Sequence, residues 1–146
     1  LGVYQIIPTA CRRCVVKLDP KKEKTKLARW QQIAEAAAKQ SKRSLIPEIM
    51  PVISLREAFA RSQKMQVRLI PYERAEGMEK TREIMKGIRP GDEVAVFIGP
   101  EGGFEEAEIE EAMKAQIKPV TLGKRILRTE TAGMTVLAFL LYQLEQ

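Results

Sequence analysis

The sequence predicts an α/β domain with a mostly parallel sheet and helices on both faces. Three observations lead there. Short β-rich runs alternate with helix-period stretches along the whole chain, the pattern of repeated βα units. Residues 94–98, Val-Ala-Val-Phe-Ile, form an unbroken apolar run, as expected of a strand covered on both faces. At 146 residues with 45% hydrophobic and 30% charged side chains, the chain suits one domain with a real core.

Taken in order, residues 3–7 read as a strand ended by Pro8, and residues 14–18 as a second short extended piece. Between residues 23 and 43, Leu27, Trp30, Ala34, Ala37 and Ser41 recur every three or four positions, predicting one small-to-apolar helical stripe. Residues 49–53 are extended but broken by Pro51, which favours an edge or bulged strand. Ser54-Leu55-Arg56-Glu57 is a capping-box pattern that starts a helix running to about residue 61. A strand over 67–72 precedes a helix over 78–86, which Gly87 is expected to stop just past its end. Residues 105–116 form a helix with acids crowding its first turns, favourable to the macrodipole. Residues 119–122 are the last strand and 131–144 the last helix, with Thr129 or Thr131 as its N-cap and Glu130 in its first turn. The apolar stretch at 134–144 is shorter than the about 18 residues of a membrane span. With no leader-like opening, the reading is a cytoplasmic protein.

The formal charge of +6 is unevenly spread. Residues 1–74 hold 16 Lys/Arg against 6 Asp/Glu, and residues 75–146 hold 9 against 13. Such a field favours a polyanionic partner, nucleic acid first among them, although solvated helix faces account for part of it. Histidine is absent, which excludes Ser-His-Asp and Cys-His catalysis and any His-ligated metal. Cys11 and Cys14 form a lone C-R-R-C. A structural zinc site needs four ligands, and a redox pair would open a helix rather than lead into an extended run. The expectation is two small, half-buried thiols and no metal.

In open α/β sheets ligands bind beyond the carboxyl ends of the strands, here after Ile70, Ile98 and Leu122. Gly99-Pro100-Glu101-Gly102-Gly103-Phe104 lies between a buried strand and a helix, where glycines let backbone approach a ligand or simply make a tight turn. It is neither a G-x-G-x-x-G fingerprint nor a P-loop. Glu101 disfavours a phosphate tenant, so a neutral or cationic ligand fits better, and the sulfonium of S-adenosylmethionine (SAM) meets that condition. In Leu122-Gly123-Lys124-Arg125-Ile126-Leu127-Arg128-Thr129-Glu130-Thr131-Ala132-Gly133, helix capping explains the threonines and the carboxylate. It does not explain Arg125 and Arg128 bracketing an apolar pair at a strand end.

These two segments, together with Leu1-Gly2-Val3, Ile7-Pro8, Arg13, Val15-Val16-Lys17 and Ala38-Lys39-Gln40-Ser41-Lys42-Arg43 with Pro47, resemble the 16S rRNA (uracil-N3)-methyltransferases of the SPOUT superfamily. The resemblance covers nearly the whole chain. It implies a deep trefoil knot near the C-terminus and a homodimer with its sites near the subunit interface. It implies a SAM pocket walled by Leu69, Ile70 and Pro71, by Ile98, Gly99, Pro100, Glu101, Gly102 and Gly103, and by Leu122, Gly123, Ile126, Leu127, Thr129, Thr131 and Ala132. Arg13, Gln40, Ser41 and Arg43 are implied to face RNA in the small ribosomal subunit. Family members also carry an N-terminal RNA-binding barrel and a first strand and helix ahead of the Leu1 equivalent, so residues 1–146 are expected to be a methyltransferase domain lacking those parts.

Methyl transfer to N3 of a uridine requires loss of the N3 proton and stabilisation of the anion. Arg125 and Arg128 are the candidates for stabilising charge near O2 or O4, or for gripping the phosphate. Glu130 is one candidate base, against solvent or a structural role for that carboxylate. Two other classes compete: a non-enzymatic RNA-binding domain, supported by the charge asymmetry, and a nicotinamide dehydrogenase, disfavoured by the missing fingerprint.

Overall fold

A computed structural model of the chain describes residues 1–14, 19–75 and 77–145. Every strand pairing in it is parallel, and helices cover both faces of a three-stranded sheet. That sheet is ordered β6(Val94–Val96)-β5(Val67–Pro71)-β7(Lys118–Val120).

The middle strand shows why. Leu69 and Ile70 are both fully buried yet point to opposite faces, as the two-residue period of a strand demands. Ile70 packs with Leu55 and Phe59 of α2(Leu55–Ser62), Ile109 and Ala112 of α4(Glu106–Lys114), and Phe104. Leu69 packs with Met85 of α3(Met78–Lys86), Ile88, and Val136 and Leu140 of α5(Thr129–Leu144). The run expected to be buried on both faces, 94–98, is only half-buried because β6 has a single neighbour, β5, among the described residues. Pro119 in β7 pairs with Ile70 from the other edge, where a missing N–H costs no ladder bond.

The N-terminal part is stitched differently. β1(Gln5–Ile6) pairs with β3(Glu48–Ile49), and β2(Thr9–Ala10) with β4(Ile53–Ser54). The strand expected over 3–7 does end before Pro8 but pairing resumes beyond it as β2, which was not expected, and the segment expected to be broken at Pro51 appears as β3 and β4 on its two sides. Backbone bonds from Met50 N–H to the Ile6 carbonyl (2.9 Å) and Ile53 N–H to the Pro8 carbonyl (3.1 Å) carry the pairing across the break. Ser54 then caps α2 with the expected reciprocal bonds to Glu57. The extended piece expected at 14–18 lies outside the described residues beyond Cys14.

α1(Pro20–Gln40) buries Ala34 and Ala38, with Leu27 and Trp30 half-buried, while Ala37 is exposed. The stripe therefore drifts with the 3.6-residue period and passes through position 38 rather than 37 and 41. α1 and α4 both end earlier than periodicity suggests. Lys42 (φ 56°) and Gln116 (φ 60°) adopt the left-handed conformation, and Arg43 and Ile117 N–H groups then close back on the Ala38 and Ala112 carbonyls. Gly87, expected in that role for α3, is instead a right-handed cap (φ −78°). Among the described residues no helix is long and apolar enough to cross a membrane.

Candidate functional site

The carboxyl ends of β5, β6 and β7 open onto one cleft of about 650 Å³, within the roughly 300–1,000 Å³ of small-molecule sites. Its walls come from the segments following those strands: Pro71, Tyr72 and Glu73; residues 98–104; and residues 121–129 with Ala132. All three loops chosen from the sequence thus meet in one place.

Much of the wall is backbone. Gly103 (φ +68°) and Gly123 (φ +120°) hold conformations that L side chains avoid. At Gly99 an added methyl would lie 3.1 Å from the Phe104 ring, so glycine there lets the loop fold onto the core. The two long loops are tied directly, because the Thr129 hydroxyl donates to the Gly99 carbonyl at 3.0 Å. Thr129 is consequently the first residue of α5 and not its cap; Arg128 holds the cap position with extended backbone and no side-chain cap bond. The base of the third loop is fixed from below. The buried Thr81 hydroxyl of α3 donates to the Thr121 carbonyl (3.1 Å) and accepts from the Thr121 N–H (3.0 Å).

Charge at the rim is mixed. Arg13, Lys124, Arg125 and Arg128 line the cleft beside Glu73 and Glu101. Arg13 reaches in from the N-terminal part and donates to the Gly102 carbonyl at 2.6 Å. It stands in a four-residue turn where Cys11 and Cys14 are disulfide-bonded, their Cα atoms 5.4 Å apart, with Cys14 N–H on the Cys11 carbonyl. Two free thiols were expected; the turn brings the sulfurs together, and no described cysteine is free.

Of the residues singled out for the cofactor, Pro71, Ile98, Gly99, Pro100, Glu101, Gly102, Gly103, Leu122, Gly123, Ile126, Leu127, Thr129 and Ala132 line the cleft. Leu69 and Ile70 do not, being spent on the two faces of the core, and neither does Thr131, whose carbonyl accepts the Thr135 side-chain hydroxyl within α5. Arg125 and Arg128 are at the cleft, whereas Glu130 is exposed on the first turn of α5 and is not part of the wall. Among the four residues expected to face RNA only Arg13 lines it. Gln40 is exposed, the Ser41 hydroxyl caps α1 on the Ala37 carbonyl, and the Arg43 guanidinium holds the Val3 carbonyl at 2.9 Å. Tyr72, Glu73, Phe104, Thr121 and Lys124 join the wall without having been singled out. Adjacency to Pro71 and to Leu122 was the available signal for Tyr72, Glu73 and Thr121.

A parallel α/β sheet whose strand-end loops converge on a glycine-rich cleft with a rim of mixed charge has the architecture of a ligand-binding α/β domain. The model of the RNA methyltransferase domain matches residues 1–141, and the chain belongs to that family. Ribosomal RNA small subunit methyltransferase E of Bacillus subtilis is 38% identical over 148 residues, covering 99% of this chain and 58% of that protein. The protein of the same name from Mesomycoplasma hyopneumoniae is 39% identical over 137 residues, 94% of this chain and 57% of its own length. Among solved structures, a putative methyltransferase from Legionella pneumophila in complex with bound SAM superposes with a TM-score of 0.86 at 35% identity, covering 98% of this chain and 57% of its own. The ribosomal RNA small subunit methyltransferase E from Neisseria gonorrhoeae bound to SAM gives 0.80 at 37%, covering 97% and 55%. The chain spans somewhat over half the length of the relatives it matches.

Proposed function

We propose that this domain holds SAM in the cleft between the 98–104 and 121–132 segments and serves methyl transfer to N3 of a uridine in 16S rRNA. The observation that carries the reading is the convergence of all three strand-end loops on one backbone-walled cleft. The residues fit such a cofactor. Glycine conformations at 103 and 123 keep side chains out of the wall, and a rim that offers both signs of charge suits a ligand that carries a carboxylate as well as cationic groups.

SAM supplies, when bound, an electrophilic methyl on a sulfonium. The chain's own residues do the rest. The Thr129-to-Gly99 bond locks the two loops that define where a ligand lies, so orientation is fixed before substrate arrives. Arg125 and Arg128, exposed at the cleft, stabilise negative charge on the uracil as N3 loses its proton, or hold the adjoining phosphate. Glu130, in the first turn of α5 and outside the cleft wall, serves as base only through a water or a shift of its side chain; solvent is the simpler proton acceptor.

The RNA reading draws support from α1. Lys22, Lys26 and Arg29 follow one another at helical spacing on its exposed face, opposite the buried Ala34 and Ala38. Arg13, exposed at the cleft, adds a cation beside the ligand site, while Gln40, Ser41 and Arg43 remain RNA candidates on the family resemblance alone. The homodimer is supported by α5, where Met134, Ala138 and Tyr142 are exposed at every fourth position, an apolar stripe of the kind subunit contacts cover. The C-terminal trefoil knot is proposed on the family resemblance, which assigns it to the same two loops.

The test is transfer from tritiated SAM to unmodified 16S rRNA, followed by nucleoside analysis. Label in 3-methyluridine is the predicted result. Label in another nucleoside would contradict the position, and RNA binding without any SAM binding would favour a non-enzymatic RNA-binding domain.

A further inference from the structure

Glu108 is the one buried acid among the described residues, 4% exposed and in the first turn of α4. Its two carboxylate oxygens are divided between two parts of the chain. One accepts the Glu105 N–H at 2.8 Å, the ordinary task of an acid in this helical position. The other accepts the Arg12 N–H at 3.0 Å, from a residue 96 positions away. Capping a helix needs only the first of these bonds.

The second bond grips a rigid object. Arg12 lies inside the Cys11–Cys14 turn, closed by the disulfide and by the Cys14 N–H on the Cys11 carbonyl. Fixing the Arg12 amide therefore fixes its neighbour. Arg13 extends from this turn across Gly102, its side-chain carbons about 3.4 Å from where a Cβ there would stand, and donates to the Gly102 carbonyl. Glu105 steadies the two guanidiniums from the side, 3.3 Å from Arg12 and 3.8 Å from Arg13. Those pairs are substantially exposed, so they contribute little on their own. The buried carboxylate is the firm anchor, because its oxygens are shielded from water and depend on the partly buried Arg12 and Glu105 N–H groups for their hydrogen bonds.

We propose that Glu108 is a positioning residue for the ligand cleft: by holding the Arg12 amide it places Arg13 on the Gly102 carbonyl and so sets the 99–103 loop in its binding conformation. The inference rests on the SAM reading for its ligand. A carboxamide at position 108 offers one oxygen to two donors, so Glu108→Gln must lose one of the two bonds while keeping the side chain's volume.

The experiment is a double-mutant cycle on the whole chain, with SAM affinity by calorimetry and Tm recorded for each protein. Glu108→Gln and Arg13→Ala should each weaken SAM binding by roughly three- to tenfold, the worth of about one hydrogen bond. The double variant should bind no more weakly than Arg13→Ala alone, since Glu108 acts through Arg13, although its Tm falls further. Glu110→Gln, exposed on the same helix, should match the unaltered chain. A structural acid would lower Tm without this non-additivity. Amide exchange in the unaltered chain supplies a measurement that needs no variant: the Arg12 N–H should be protected although Arg12 itself is exposed. Free exchange at Arg12, wild-type affinity in Glu108→Gln, or losses that multiply in the double variant would each overturn the inference. Failure of the unaltered chain to bind SAM would instead remove the cofactor reading and this inference with it.

Discussion

Replacing Thr81 with valine deletes one hydroxyl and leaves the side chain's shape. Thr81 is 2% exposed, and its hydroxyl both donates to and accepts from the backbone of Thr121. Thr121 is itself 8% exposed, so water has poor access to the N–H and C=O left behind. One buried unpaired group costs about 1–3 kcal/mol; with both groups affected and some relaxation, about 2 kcal/mol is expected. For a domain of this size that lowers Tm by roughly 4–8 °C. Thr81→Ser is the matched control, keeping both bonds and losing one buried methyl, at about 1 kcal/mol. Calorimetric unfolding of the three proteins should therefore rank them wild type, Thr81→Ser, Thr81→Val. Because Thr121 opens the loop that walls the cleft, Thr81→Val should also weaken SAM binding. A valine variant at least as stable as the serine variant would refute the reasoning.

Gly99→Ala presses a methyl to 3.1 Å from the buried Phe104 ring, and overpacking of that kind costs about 1–3 kcal/mol; a lowered Tm with weakened SAM binding is expected. Arg128→Ala should reduce methyl transfer by about tenfold or more while SAM affinity changes little, and equal losses in both would move Arg128 from the substrate to the cofactor. Glu57 has its carboxyl pKa held below the usual 4.5 by the Ser54 N–H and then the Ser54 hydroxyl. A depressed pKa stabilises the fold above the unfolded value and loses that contribution as pH falls through the folded one. Glu57→Gln should accordingly flatten the acid side of the Tm profile between roughly pH 6 and pH 3, with little effect on SAM binding.

The elements that were legible in the sequence are those with local physical causes. The Ser54–Glu57 capping box, the strand at 67–71 and the helix at 78–86 follow from spacing and composition. The glycine and basic loops were legible as a site because each directly follows a strand. Whatever depends on distant partners was not. That β5 is central and β6 an edge is decided by sheet order, which no run of apolar residues encodes. The helix ends at Lys42 and Gln116 use left-handed residues other than glycine, so they carry no sequence mark. Leu69 and Ile70 are adjacent to the cleft in sequence but belong to the core, because two faces of packing claim them. The Glu108–Arg12 bond joins groups 96 positions apart, a partnership only the folded chain reveals; the Cys11–Cys14 pair is visible as a C-R-R-C, but the sequence reading favoured free thiols over its disulfide.

The most direct test of the account is a titration of the isotopically labelled chain with SAM, followed amide by amide, with NAD as the control ligand. The account predicts saturable shifts concentrated in residues 71–73, 98–104 and 121–132, and none with NAD. Saturable binding that maps elsewhere, or equal binding of NAD, would contradict the assignment of this cleft to SAM.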